Sequence, residues 1–266
     1  MKLPWRRGPK PRPTVHDRMT LAEHLGELRR RLIICLVAIA VGGAIAFIFY
    51  PQILNWLTGP YRDVCEAKHL TCPGKLVITD PLEGFAVRMK VTGYGGIVLA
   101  LPVILWQIWR FVTPGLYDNE KRYAIPFVFA SVVLFIMGAL IALWTFPKAL
   151  QFLISWSGDV QPLFAPGAYL SLIMLMMLGF GLGFEFPVFL VALELVGVLT
   201  PAQLSGARRY AIVGIVVVVA IATPSGDPYS LLALSIPLII FYEVAIVIGK
   251  LVLRHRTRTN TTPAPA

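Results

Sequence analysis

An acidic residue lies well inside one of the most apolar stretches of this 266-residue chain. Residues 168–197 read AYLSLIMLMMLGFGLGFEFPVFLVALELVG, and Glu185 falls within them. If the stretch crosses a bilayer, a carboxylate near its middle costs about 2.5–3.5 kcal/mol on insertion scales. Such a residue normally faces protein or water and has a partner. Glu185 is therefore either a polar docking or transport site, or a protonated acid satisfied by a neighbouring hydroxyl or carbonyl.

Small residues and a proline surround this acid. Pro187 follows Glu185, and Gly179, Gly181 and Gly183 precede it. Proline removes a backbone donor and kinks helices, whereas glycines let a second helix come close. The pattern predicts a bent helix that packs closely against its neighbours around Glu185.

Two further acids lie in apolar segments. Glu194 comes nine residues after Glu185 and so falls on the opposite side of the same helix, close enough to the segment's end to reach the headgroups. Glu243 is in the last apolar segment, where a hydrogen bond inside the bundle is its simplest role. A relay through Glu185, Glu194 and Glu243 would make the chain a proton-coupled small-solute transporter, which is the alternative function. Transporters often contain internal repeats, and the two halves of this chain show none.

Near the amino terminus, Glu27 follows a helix start. Thr20 and Glu23 form a capping box that opens the helix TLAEHLGELRRRL. Glu23 and Glu27 are one turn apart and share a face. On spacing alone, a pair between Glu27 and a following arginine (Arg30 or Arg31) is the preferred interpretation, and a recognition site is the alternative.

A second exposed acid is predicted in the segment FVTPGLYDNEKR at 111–122. The Pro114–Gly115 dipeptide favours a turn and leaves Asp118 and Glu120 beside two cations. Without further information this segment is a solvated loop.

These residues must be positioned by a membrane bundle. The chain is 57% hydrophobic and 14% charged, whereas soluble domains carry about 25% charged residues. About 20 apolar residues cross a ~30 Å hydrocarbon core. The sequence therefore predicts an all-α membrane protein with six transmembrane helices, at roughly 31–50, 88–112, 123–147, 168–197, 210–223 and 229–252.

The basic residues predict the orientation of the bundle. With both termini in the cytoplasm, 18 of the 24 Lys and Arg residues lie on the inner side, as the positive-inside rule requires. The net charge of +10 is thus an orientation signal and a contact for anionic lipid, and nucleic acid is not an expected partner. Residues 1–19 and 253–266 are predicted to be basic, disordered tails around a membrane domain at 20–252.

The predicted bundle has a short fifth span and a capped outer face. Residues 210–223 would form only about 21 Å of helix, so the bilayer should thin beside them. Residues 51–58 form an amphipathic segment suited to the outer interface. Prolines at 60, 102 and 187 are expected to shape turns or bends, and Asp227 is expected to be a turn residue.

The chain carries no signature of a metal site, a nucleotide site or an enzyme. No metal-ligand spacing occurs, and no phosphate-binding glycine loop is present. Cys35 is interpreted as a small buried residue. Cys65 and Cys72 share the first outer loop, where an oxidising compartment would allow a disulfide without demanding one.

Four motifs in order resemble the TatC family, the multispanning receptor of the twin-arginine protein translocase. They are HLGELRRRL (24–32), LPVILWQIWRFVTPGLYDNEKR (101–122), GFGLGFEFPV (179–188) and TPSGD (223–227). The resemblance covers roughly residues 20–250. It implies a non-enzymatic receptor in the bacterial cytoplasmic membrane, without a cofactor, that recognises twin-arginine signal peptides on folded cargo. It further implies assembly with TatA- and TatB-type single-span subunits and with copies of itself, for transport driven by the proton-motive force.

The resemblance also assigns site residues. The signal-binding acids of the family map onto Glu27 and Glu120, with Phe111 beside the second, and Arg29 matches a basic position expected to orient the acids. Carboxylates suit a guanidinium fork better than they suit a lysine ammonium, which is a point charge. Glu185 matches the family's intramembrane acid and is expected to meet a polar side chain of a partner's span. Pro60 matches an outer-loop position with an expected structural role.

Overall fold

A computed structural model describes residues 21–67, 76–78, 80–112, 124–156 and 164–260. Over these ranges the chain forms α-helices and no strand. The helices are α1 (Leu21–Ile48), α2 (Tyr50–Leu57), α3 (Gly59–Ala67), α4 (Glu83–Val112), α5 (Ala124–Ser155), α6 (Pro166–Val196), α7 (Pro201–Gly206), α8 (Arg208–Ala222) and α9 (Pro228–Asn260).

The all-α membrane architecture is confirmed. Within the described ranges five helices are long and apolar enough to cross a membrane, namely α1, α4, α5, α6 and α9. The predicted short fifth span corresponds to α8, which has 15 residues and therefore extends about 22 Å. The sixth crossing depends on this short helix, so the count of six spans stays a prediction.

Two helices extend beyond their predicted ends. α5 continues past Pro147 to Ser155, because Phe146, Ala149 and Leu150 are buried and their packing offsets the backbone hydrogen bond that proline removes. α9 continues to Asn260, so residues 253–260 are helical where a disordered tail was predicted.

Close contacts set the register of the long helices. α1 and α4 run antiparallel and meet at Gly42 and Gly96, where an added Cβ on Gly42 would lie 2.8 Å from the Gly96 carbonyl oxygen. α5 and α6 also run antiparallel, and an added Cβ on Gly181 would lie 2.6 Å from the Phe135 ring. Of the glycines that were predicted to let a second helix come close, Gly181 therefore lies at such a contact, with α5. α9 packs on α6, α5 and α8.

Glu27 and Pro60 lie at opposite ends of the bundle. The Glu27 end contains Glu27, the carboxyl ends of α4 and α6, and α7. The Pro60 end contains α2, α3 and the start of α6. Between them lies an apolar core with large, fully buried side chains that include Phe146, Phe180, Phe184 and Tyr242. A smaller cluster near the Glu27 end stacks Trp109 on Phe127, with ring centroids 4.2 Å apart.

Helices α2 and α3 cap the Pro60 end, as the amphipathic segment predicts. Pro60 is the second residue of α3 and is buried, which fits its expected structural role. The Tyr169 hydroxyl of α6 donates to the Leu57 carbonyl oxygen at 2.9 Å. Burial raises the pKa of the nearby Tyr61 hydroxyl, because its charged form would lose water.

Charged and covalent links reinforce this cap. Glu83 Oε1 accepts from the Gly167 backbone N–H at 2.8 Å, which caps α6 from a distant part of the chain. Lys90 Nζ donates to Ser171 Oγ at 3.0 Å. Cys65 is disulfide-bonded, whereas Cys35 is a free thiol. Cys72 lies outside the described residues.

The turn before α9 is organised by Asp227, whose side chain is fully buried. Asp227 Oδ1 accepts from the Ser230 backbone N–H at 2.7 Å, and its other carboxyl oxygen accepts from the Ser225 hydroxyl. Pro228 occupies the first helical position, where a missing N–H does no harm. Asp227 thus lies at the amino terminus of α9 and accepts hydrogen bonds from both sides of the turn.

Substitution of Asp227 by alanine should therefore lower the stability of the bundle by about 2 kcal/mol, because two buried donors lose their acceptor. Thermal unfolding of the purified protein in detergent measures the change. Asp227→Asn keeps one acceptor oxygen in place and should lose less. Equal melting temperatures for Asp227→Ala and the unsubstituted protein would show that the cap contributes nothing.

Candidate functional site

At the Glu27 end, one arginine joins two helices. Arg31 lies one turn after Glu27, and its Nε and Nη2 both donate to Glu27 Oε1, with Nε at 3.2 Å. The same guanidinium reaches α4, where Nη1 donates to the Gln107 carbonyl oxygen at 3.2 Å and Nη2 to the Arg110 carbonyl oxygen at 3.0 Å. Glu27 is thereby tied to the end of α4 through Arg31.

The position of Arg31 has a simple electrostatic cause. The last four carbonyl groups of a helix have no partner within the helix, and they carry partial negative charge. Arg31 satisfies one of them, at Arg110, while neutralising Glu27. The Arg31 side chain is only 14% exposed and the Glu27 side chain 28% exposed. An ion pair at this depth is screened less by water than one on an open surface.

The structure describes three of the four predicted signal-binding residues, Glu27, Phe111 and Arg29. Phe111 is half-buried and follows Arg110 directly, so it adjoins the Arg31 contact. The segment with Glu120 begins in the last residues of α4, but Glu120 lies outside the described residues. Arg29 is exposed. Among the described residues, the guanidinium that contacts Glu27 belongs to Arg31.

This contact follows the interpretation made from spacing alone. Residues four apart share a helical face, whereas residues two apart do not, so Arg31 can reach Glu27 and Arg29 cannot easily do so. Arg31 therefore contacts Glu27, and the orienting role expected for Arg29 stays a prediction. Spacing did not reveal the second half of the contact, since the carbonyl groups of α4 come from a distant part of the sequence.

Glu185 lies halfway along α6 on a face that is partly open to the bundle's surroundings. Leu182 and Phe189, on the same helical face, are exposed, and Glu185 between them is half-buried. The Ser131 hydroxyl of α5 is a hydrogen-bonding group that faces the Glu185 carboxyl. Within the described part of the chain, Glu185 Oε1 has no hydrogen-bond partner. The acid can therefore accept a further donor, or donate when protonated.

Helix register explains why Ser131 is there. α5 and α6 are antiparallel, and Gly181 meets the Phe135 ring. One turn further along α6 is Glu185, and one turn back along α5 is Ser131. The small residues before Glu185 thus allow the approach that places a hydroxyl opposite the acid. Pro187 is buried inside α6 two residues later.

The other two intramembrane acids have different surroundings. Glu194 is 9% exposed, lies against Gly249 of α9, and neither of its carboxyl oxygens has a hydrogen-bond partner in the described residues. Glu243 forms an ion pair with Arg208 of α8 at 2.8 Å, and both side chains are well exposed. The expectation that Glu243 is a buried hydrogen-bonding group is wrong, because α8 supplies a cation beside it.

These surroundings predict different effects on stability when Glu194 and Glu243 are replaced by methionine. Glu194→Met should raise the free energy of unfolding by about 1–3 kcal/mol, and with it the apparent melting temperature. The reason is that a buried polar group without a partner among the described residues is replaced by an apolar chain of similar length. Glu243→Met, the matched control, removes an exposed ion pair and should change stability by less than about 1 kcal/mol. Thermal unfolding in one detergent compares them. A loss of stability in Glu194→Met would indicate that Glu194 has a stabilising partner.

Pro102 lies inside α4 and is exposed. It lines an apolar groove of about 300 Å³ between α4 and α5, together with Trp106, Ile125, Val128, Phe129 and Val132. Its ring therefore shapes the outer surface of the bundle. Elsewhere in the described residues, no group of three or more His, Cys, Asp or Glu side chains could hold a metal ion.

Comparison with known proteins identifies the relatives of this arrangement. The family model for the Sec-independent protein translocase protein TatC matches residues 23–237. A TatC protein of Aquifex aeolicus is 38% identical over 247 residues, covering 90% of this chain and 98% of its own length. One from Frankia casuarinae is 39% identical over 257 residues, covering 94% and 71%. A crystal structure of the twin-arginine translocase receptor TatC in DDM superposes with a TM-score of 0.70 and 37% identity, covering 85% of this chain and 99% of that one.

Proposed function

Because the chain belongs to the TatC family of Sec-independent protein translocase components, we propose that it is the receptor and core subunit of a twin-arginine translocase. In this proposal it recognises the twin-arginine signal peptides of folded cargo proteins. The family membership itself makes the chain a multi-pass membrane transport protein rather than an enzyme.

The observation that carries the recognition role is the Glu27–Arg31 contact at the end of α4. A carboxylate held at fixed depth by an anchored guanidinium is suited to accept a second guanidinium, because acids bind arginine through two parallel hydrogen bonds. The half-buried Phe111 follows Arg110, whose carbonyl oxygen accepts from Arg31, and guanidinium groups stack on aromatic faces. Glu120, a few residues beyond, would take the second arginine of the pair.

The assembly role is supported by Glu185. Glu185 is half-buried between the exposed side chains of Leu182 and Phe189, and its buried Oε1 has no hydrogen-bond partner among the described residues. A single-span partner with a polar side chain at the same depth would satisfy both groups, and hydrogen bonds between membrane helices contribute about 0.6–2 kcal/mol. We assign this face to the TatA- and TatB-type subunits, within a complex that contains more than one copy of the chain.

Location and energetics complete the proposal. As a TatC-family component the chain is placed in the bacterial cytoplasmic membrane, and the distribution of Lys and Arg favours both termini, and hence the Glu27 end, in the cytoplasm. Signal peptides would then meet Glu27 from the side on which cargo folds, and the proton-motive force would drive transport. The transporter alternative has less support, since Glu185, Glu194 and Glu243 lie in three different environments.

The test is photocrosslinking with the probe on the peptide, which leaves every acid of the receptor intact. A twin-arginine signal peptide carrying a photoreactive residue beside the arginine pair is added to membranes that contain the full translocase. Crosslinks should map to residues 24–32 and 111–122 by mass spectrometry, and a twin-lysine peptide should label them weakly. Equal labelling by both peptides, or labelling elsewhere, would refute the proposed receptor role.

A further inference from the structure

We propose that Arg88 forms a binding site for an anionic phospholipid in the leaflet at the Pro60 end of the bundle. Its guanidinium fork binds the phosphodiester of the lipid where α4 packs against the junction of α1 and α2. The inference goes beyond the receptor role proposed above and does not depend on it, since it uses only the placement of the bundle in a membrane.

Two aromatic rings hold the Arg88 side chain. Its guanidinium carbon lies 4.1 Å from the centroid of the Phe47 ring, near the end of α1, and 5.1 Å from that of Tyr50, the first residue of α2. Both distances are typical of cation–π contacts. The rings attract the charge but supply no oxygen, and among the described residues none accepts a hydrogen bond from Arg88. The five N–H donors of the guanidinium are therefore available to an anion.

Other cations at this end are placed differently. Arg62 Nη2 donates to the carbonyl oxygen and to the side-chain oxygen of Asn55, both at 2.9 Å. Lys148 contacts the Trp144 ring at 4.8 Å, but both residues belong to α5, and an ammonium lacks the planar fork that matches two phosphate oxygens. Arg88 alone among these three combines a fork, rings from two other elements and no oxygen acceptor in the described residues.

The position of Arg88 along α4 places its charge at the depth of lipid phosphates. The apolar span of α4, Glu83–Phe111, has Ile97 as its middle residue, nine residues after Arg88. At about 1.5 Å per residue Arg88 is about 13.5 Å from the middle, near the edge of a ~30 Å hydrocarbon core. Helical side chains tilt toward the amino terminus of their helix, which for α4 is the Pro60 end. The guanidinium therefore reaches the headgroup region, where long basic side chains place their charge.

Exposed apolar side chains beside Arg88 indicate a lipid rather than a free anion. Phe85, one turn before Arg88, is 69% exposed, and the adjacent Met89 is 49% exposed. A phospholipid offers its phosphate to the guanidinium and its acyl chains to this surface. An anionic headgroup is favoured over a zwitterionic one, because the ammonium group of the latter would lie close to the Arg88 cation and repel it.

The experiment measures lipid binding to the purified full-length protein in detergent by native mass spectrometry. The probes are phosphatidylglycerol, which is anionic, phosphatidylethanolamine, which is zwitterionic, and inorganic phosphate. Phosphatidylglycerol should be retained most strongly, and excess inorganic phosphate should not displace it. In Arg88→Gln its apparent affinity should fall at least about tenfold, the effect of losing one charge-assisted hydrogen bond.

Two variants serve as comparisons. Arg62→Gln makes the same change in charge on an arginine that already has acceptors, so retention of phosphatidylglycerol should be unaltered. Arg88→Lys keeps the charge but lacks the fork, and its affinity should be intermediate.

Several results would overturn the inference. Equal losses in Arg88→Gln and Arg62→Gln would show a response to net charge alone, and unchanged retention in Arg88→Gln would place the lipid elsewhere. Equal retention of the two lipids would exclude charge complementarity, and displacement by inorganic phosphate would indicate a site for a free anion. Should Arg88→Gln fail to fold, judged by thermal unfolding, Arg88→Lys decides, and an affinity equal to that of the unsubstituted protein overturns the inference. Signal peptide is absent throughout, so none of these outcomes tests the receptor role.

Discussion

Glu27→Ala should reduce the binding of a twin-arginine signal peptide at least about thirtyfold, since truncating one side of a half-buried charge pair costs about 2–5 kcal/mol. Two effects add. The ligand loses its carboxylate, and the guanidinium of Arg31 is left without an acid and repels the incoming cation. Crosslinking to residues 24–32 should fade accordingly. Glu120→Ala should act in the same direction, through the second arginine of the ligand.

A matched control exists within the chain. Glu243 forms an ion pair with Arg208 much as Glu27 does with Arg31, but both of these partners are well exposed. Glu243→Ala removes one negative charge and leaves the Glu27 contacts intact, so peptide binding should persist. If Glu243→Ala and Glu27→Ala weaken binding equally, the effect is one of net charge and Glu27 is not a specific ligand.

Glu185→Ala should release the single-span partner from the complex. Leu182 and Phe189 would still offer apolar contact, but lipid chains offer the same, so the polar contact is what favours the partner over lipid. Copurification of the partner after mild detergent extraction should fall by about 3- to 30-fold, the effect of losing one such hydrogen bond. Glu185→Gln keeps the length and a hydrogen-bonding group, and it should retain most of the association.

The control for this prediction lies on the same helix. Glu194 faces α9 at Gly249 rather than the open face of α6, so Glu194→Gln should leave partner binding unchanged. Partner recovery with Glu185→Ala equal to that of the unsubstituted chain would assign the partner site elsewhere. Because signal-peptide binding depends on the distant Glu27 end, crosslinking in Glu185→Ala also reports whether the receptor still folds.

Much of the fold could be predicted because lipid leaves few choices. A backbone in hydrocarbon must satisfy its own hydrogen bonds, so long apolar runs become helices, and five of the predicted spans coincide with long helices of the structure. Helix ends were less predictable. α5 passes Pro147 because the packing of its buried residues outweighs the local preference for a break, and α9 continues to Asn260.

Local chemistry also determined several site features before any fold was known. The spacing of Glu27 and Arg31 predicts their ion pair, since four residues make one helical turn. The TPSGD motif predicts a turn, and Asp227 caps the helix that follows it. The presence of Glu185 within an apolar run marks it as a functional candidate whatever its neighbours are.

Only the tertiary structure decided what these residues contact across the bundle. The carbonyl oxygens that accept from Arg31 lie more than 70 residues away from it along the chain. Glu83 and the Gly167 backbone N–H that it caps at the start of α6 are also more than 70 residues apart. Ser131 opposite Glu185, and Gly249 against Glu194, follow from helix register. That register is set where glycines let helices touch, as at Gly42 and Gly96. Sequence periodicity fixes which face of a helix a residue occupies, but the partner on that face depends on how two distant helices slide against each other.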